Sequence, residues 1–158
     1  MNSDAQKRIF RSMVIVVAAS LLVAGAVFAF NFPGLGKGES IKGVNGVVSI
    51  PVAKVDDGKA HFYRISDGDK VISFFVVKAP DGTIKTAFDA CDVCYREKKG
   101  YEQQKEVMIC KQCNKKFPID RIGPHAVGGC NPSYLPSTLA GGNVQISVDE
   151  LKKGTKYF

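Results

Sequence analysis

The sequence predicts a small, mainly β domain with two Cys-x-x-Cys loop knuckles, preceded by one N-terminal transmembrane helix. Three observations carry this. From residue 47 onward, short β-branched and aromatic runs alternate with turn signals. Two pairs, Cys91/Cys94 and Cys110/Cys113, each follow such a run, with fifteen residues between the pairs. An uncharged apolar stretch over residues 12–32 follows Lys7, Arg8 and Arg11.

The chain has 158 residues, of which 45% are hydrophobic and 23% charged. That is one domain's worth of chain with enough apolar residues for a modest core, which excludes a disordered protein. The net charge is +7, with three of the positive charges ahead of the apolar stretch. A nucleic-acid binder would show a basic stripe with interleaved aromatics, and no such stripe is present. A mildly basic surface suits anionic lipid or an acidic redox partner.

Residues 1–11 read as a basic cytoplasmic N-terminus and 12–32 as a membrane anchor, because positive charge is retained inside. The competing reading is a signal peptide cleaved at Ala29, where Val27 and Ala29 are both small. In either case the body lies outside the cytoplasmic membrane, as a single-pass periplasmic domain if the helix is kept. Lys7-Arg8-Ile9-Phe10 resembles a degenerate twin-arginine export signal. Residues 33–46 hold five glycines and one proline and read as a flexible tether.

The domain proper spans 47–158. VVSIPV at 47–52 is β-branched and opens it. AHFYRI at 60–65 runs into Ser-Asp-Gly-Asp, a tight-turn signal. KVISFFVV at 70–77 is almost unbroken in apolar character, so burial on both faces is expected. Pro80-Asp81-Gly82-Thr83 turns the chain. IKTAFDA at 84–90 leads to the first cysteine pair and EVMIC at 106–110 to the second. NVQISV at 143–148 is the last strand, and residues 149–153 read as one helical turn.

The chemistry lies in five cysteines: Cys91, Cys94, Cys110, Cys113 and Cys130. A Cys-x-x-Cys turn brings two sulfurs onto one metal, and two such turns make a four-thiolate site. The spacing falls in the range read as a metal site. Zinc and iron–sulfur clusters both accept four thiolates, so the ligand set leaves the two open. Disulfides are the competing reading, but bonds within Cys-x-x-Cys units close tiny loops and staple little. No His follows either pair, which excludes covalent haem attachment. Cys130, in Gly-Gly-Cys-Asn-Pro, is a possible additional ligand. His125 is a candidate for a place behind the ligands. Eight basic residues against five acidic ones occupy 91–121 and would offset thiolate charge.

The order of parts resembles a Rieske-type or zinc-ribbon-like layout. Rieske domains carry Cys-x-His and Cys-x-x-His where this chain has Cys throughout, so a mixed-ligand cluster is not implied. The run AFDACDVCYREKKGY…ICKQCNKKFPIDRIG…GGCNP resembles the FtrD-like membrane iron–sulfur family over residues 45–155. That resemblance implies a membrane-bound iron–sulfur protein, some relatives of which accompany ferrous-iron permeases.

The expected function is one-electron transfer by a cluster, 2Fe–2S or 4Fe–4S, on Cys91, Cys94, Cys110 and Cys113. Expected partners are the membrane and a cytochrome, a quinol-oxidising complex or an iron permease. The alternatives are a structural zinc module and a metal-delivery protein with Cys130 as exchangeable ligand. No general base or nucleophile stands out, so a substrate-transforming enzyme is not expected.

Overall fold

The computed structural model describes residues 37–126 and 129–158. The expected anchor over 12–32 lies outside them. Among the described residues no helix is long and apolar enough to cross a membrane. The strands are β1 (Glu39–Ser40), β2 (Val47–Pro51), β3 (His61–Asp67), β4 (Lys70–Lys78), β5 (Ile84–Phe88), β6 (Tyr101–Gln104), β7 (Val107–Cys110), β8 (Lys116–Pro118), β9 (Thr138–Ala140) and β10 (Asn143–Ser147). They form three sheets, in the orders β1-β3-β4-β5, β2-β10-β9 and β6-β7-β8. The mainly β expectation holds.

β4 is the centre of the molecule. Its side chains alternate between faces, as a strand's must. Ile72, Phe74 and Val76 enter one core with Val48, Ile50, Val144 and Ile146 of the β2-β10-β9 sheet. Phe75 and Val77 enter a second core with Tyr101, Met108 and Cys110 of the β6-β7-β8 sheet. Phe74 and Phe75 are both fully buried, and burying each stabilises by about 1.5–3 kcal/mol. One strand thus anchors two layers, and the burial expected on both of its faces is observed.

The glycine-rich segment differs in part from expectation. Glu39–Ser40 pairs in parallel with Tyr63–Arg64 of β3, and Val44 bridges Val47. Backbone pairing makes the second half of the expected tether part of the domain. The predicted helical turn is α1 (Val148–Lys153), capped by Ser147, whose hydroxyl accepts the Asp149 N–H at 3.2 Å. Asp149 and Glu150 in its first turn and Lys152 and Lys153 in its last agree with the helix dipole.

α1 is followed at once by Gly154, packed on the ring of Phe88. A Cβ built there lies 2.1 Å from Phe88 Cε1. That ring is buried and held by Tyr157, at 5.7 Å between centroids. Gly154→Ala is therefore expected to lower stability by about 1–3 kcal/mol through overpacking. Urea unfolding followed by circular dichroism checks this, and an unchanged midpoint would show that the Phe88 ring gives way freely.

Candidate metal centre

β5 delivers the first cysteine pair. The Asp89 N–H bonds the Ser73 carbonyl at 2.9 Å as the chain leaves the sheet, and Cys91 arrives buried. The chain then turns back on itself. Tyr95 N–H donates to the Cys91 carbonyl at 3.2 Å, and Cys94 N–H donates to Cys91 Sγ at 3.1 Å. An amide aimed at sulfur favours the thiolate. A short 3-10 turn, Tyr95–Glu97, follows and ends at Lys98.

β7 delivers the second pair through a tighter loop. Asn114 N–H donates to the Cys110 carbonyl at 2.8 Å, and Cys110 N–H donates to the Lys115 carbonyl at 3.0 Å. Asn114 sits at φ 57°, a left-handed conformation that Asn tolerates better than most residues. The Lys115 amide is thereby turned toward Cys113 sulfur. The two loops therefore share a sequence pattern but close differently.

Cys130 comes from a third segment, laid along β5. Phe88 N–H donates to the Ser133 carbonyl at 2.8 Å, and Ser133 N–H donates to the Ala90 carbonyl at 3.0 Å. Ala87 bridges Tyr134. Buried Thr86 donates its hydroxyl to the Leu135 carbonyl at 2.5 Å. This pairing fixes Cys130 Sγ 3.5 Å from Cys94 Sγ.

The sulfurs gather into two trios. Those of Cys91, Cys94 and Cys130 lie within 4.8 Å of one another, as do those of Cys94, Cys110 and Cys113. Cys94 is common to both, so all five thiols form one shell. All five are free of disulfides. Cys91, Cys110 and Cys130 are buried, whereas Cys94 and Cys113 are half-buried.

Tyr101 ties the three segments together. It stands opposite Cys110 in the β6–β7 register. Its amide donates to Asp89 Oδ1 at 2.7 Å, and its hydroxyl donates to the Cys130 carbonyl at 2.6 Å. Its carbonyl accepts Lys37 Nζ at 2.5 Å, while that ammonium lies 3.2 Å from the Phe62 ring centroid. The ring is enclosed by Phe75 and Phe117. Gly100, at φ 64°, makes this possible: a Cβ there would lie 2.5 Å from Asp89 Oδ2. Burial lifts the Asp89 carboxyl to about 6, against the pull of the Tyr101 amide, Lys37 and Lys111.

Burial opposes ionisation of every thiol. At Cys91 the Cys94 amide outweighs it, with the Tyr101 hydroxyl and the Val93 amide assisting, and holds the thiol below its ordinary value. At Cys113 the Lys115 amide and the neighbouring thiols outweigh it and bring the group down to about 7. Burial and the nearby Cys113 push Cys130 up to about 11. Burial also raises Cys94 and Cys110. A metal taken up near neutral pH therefore expels protons from several of these groups.

All four cysteines predicted as ligands meet at this centre, and Cys130, predicted as a possible addition, joins them. His125 is exposed and belongs to neither trio. Sequence reasoning missed Tyr101 and Asp89. The signal available was Gly100 before an aromatic residue at the mouth of a strand. The donor set fits an iron–sulfur cluster: it is all sulfur, supplied with amide donors and backed by Phe75, Tyr101 and Met108.

Cys94→Ser is expected to lose bound metal almost completely, because it removes a sulfur from both trios. Cys130→Ser touches one trio and is expected to retain more. Metal-to-protein ratios by mass spectrometry of the purified variants check the order, and equal losses would contradict it. Tyr101→Phe leaves the Cys130 carbonyl without its buried donor. The expected cost is about 1–3 kcal/mol in chemical denaturation, with metal retention reduced in parallel. A variant as stable and as well loaded as the parent would remove Tyr101 from its tying role.

No curated protein and no solved structure shows significant similarity to the chain. One family model, described as membrane iron-sulfur containing protein FtrD-like, matches residues 55–158 and so covers every cysteine described above. The chain belongs to the FtrD-like family of membrane iron–sulfur proteins.

Proposed function

We propose that the protein is a single-pass anchor carrying an extracytoplasmic iron–sulfur domain that passes single electrons. The observation that carries this reading is the convergence of five thiols on one shell through Cys94. Cys91, Cys94, Cys110 and Cys113 would hold the cluster, with Cys130 beside Cys94 as an additional or alternative ligand. When bound, such a cluster supplies a reversible one-electron couple. The chain's own residues supply the rest. The amides of Cys94 and Lys115 hold sulfur in the thiolate form. Phe75, Tyr101 and Met108 keep water from the inner sulfurs, and burial of this kind sets the potential.

Each cysteine pair is delivered by the end of a strand, as in a Rieske-type layout with thiolates at all four positions. The anchor over 12–32 and the glycines of 33–36 would hold the domain near the membrane. A quinol-oxidising or cytochrome complex, or a ferrous-iron permease, would then exchange electrons with it. No residue around the shell is placed as a nucleophile or general base, which favours a carrier over a substrate-transforming enzyme.

The test is redox titration, with EPR detection, of the full-length protein purified anaerobically in detergent. A reversible signal near one spin per chain, lost on re-oxidation, is the expected result. A colourless, EPR-silent protein with stoichiometric zinc would replace the carrier with a structural zinc module.

A further inference from the structure

Resting on the carrier reading above, we infer that the rim of the thiol shell at Cys94 and Cys113 is a docking face for an acidic protein partner. Burial is unequal around the shell. Cys91, Cys110 and Cys130 are enclosed, whereas Cys94 and Cys113 reach solvent. Electrons therefore have their shortest protein path on this side. Beside Cys94 stands Val93, 60% exposed, one of few large apolar residues at the surface.

Around Cys113 lie Lys111, Lys115 and Lys116, all exposed. No acidic residue occurs between Val107 and Ile119. Lysines elsewhere find partners: Lys54 meets Glu39, Lys78 meets Asp56, Lys152 meets Asp67 and Lys153 meets Glu150. Among the described residues, none of the three rim lysines is in an ion pair. Three like charges on one short loop repel one another, and an opposing acidic surface relieves that repulsion.

A cleft of about 280 Å³ continues the face past Lys116. Lys116 and Arg121 line it together with Phe117, Ile122 and Pro132, and it adjoins Cys130 through Asn131. Its size and lining suit one acidic side chain, with methylenes on the apolar wall and carboxylate between the two cations. An apolar contact ringed by cations is the pattern of a weak, charge-steered encounter surface. A bilayer offers the same charge but no side chain to fill the cleft, so a protein partner is the occupant the face favours.

Two arms test this on the full-length protein in nanodiscs. In the first, the reduced protein is oxidised by hexacyanoferrate(III), an anion, or hexaammineruthenium(III), a cation. The Lys111→Glu, Lys115→Glu, Lys116→Glu triple variant should slow the anion by about tenfold at low ionic strength and speed the cation. High salt should erase both changes. The matching Lys→Gln variant, milder in charge, should show the same directions at smaller size. Equal responses to the two reagents would overturn the inference.

In the second arm, acetylation of the three lysines is mapped by mass spectrometry. Added polyglutamate should protect them in phosphatidylcholine nanodiscs. Protection by phosphatidylglycerol nanodiscs alone would assign the face to lipid and overturn the inference, as would protection by neither. This arm needs no cluster. A preparation without iron therefore defeats the carrier reading separately from the docking face.

Discussion

The centre depends on Tyr101. Three segments far apart in sequence must converge to bring five sulfurs together, and each is tied to this residue. Its amide holds the stem of the first loop at Asp89, its strand register holds Cys110, and its hydroxyl holds the Cys130 backbone. Each bond is modest alone, about 0.5–1.5 kcal/mol net. Their joint effect is positional, because all are buried and loss of any one strands a polar group away from water. The aromatic body of Tyr101 also packs on Phe75. The second core and the thiol shell are therefore one packing unit, and metal retention and domain stability are coupled through the same side chain.

β4 explains why such a shell can exist in so small a domain. A single central strand with large apolar side chains on both faces supports a layer on each side. The layer built with β2, β9 and β10 contains no cysteine and forms the larger core. The other layer is freed to carry chemistry: its sheet is short, its loops are long, and its core residues include three of the cysteines. Five thiols in proximity are costly without metal, since burial disfavours the thiolates and the thiolates repel one another. The amides aimed at Cys91 and Cys113 offset part of this, and a bound cation would offset the remainder.

Much of this was legible in the sequence. The alternation of apolar runs and Asp-Gly turns located β2, β3, β4, β5 and β10, and the unbroken run at 70–77 marked the strand buried on both faces. The two Cys-x-x-Cys pairs gave four members of the shell. Less visible were β6 and β8, because YEQQ and KFP are short and half polar and take strand form only against β7. The pairing of Glu39–Ser40 was hidden in a glycine-rich stretch, since a parallel partner more than twenty residues away leaves no local mark. Placement of Cys130 depends on residues 133–135 lying along β5, a contact that no spacing rule encodes. The difference between the two loops was readable in hindsight: Asn114 follows Cys113 where a left-handed residue is wanted, and Tyr95 follows Cys94 where a 3-10 turn begins.

The central claim is that five cysteines from three segments make one site and that its content is an iron–sulfur cluster. Native mass spectrometry of the full-length chain, purified anaerobically and released from detergent in the gas phase, addresses it directly. The account predicts one mass increment matching a single cluster of iron and inorganic sulfide per chain, with every cysteine otherwise unmodified. A chain carrying one zinc ion, or lighter by the hydrogens lost in disulfides, would contradict it.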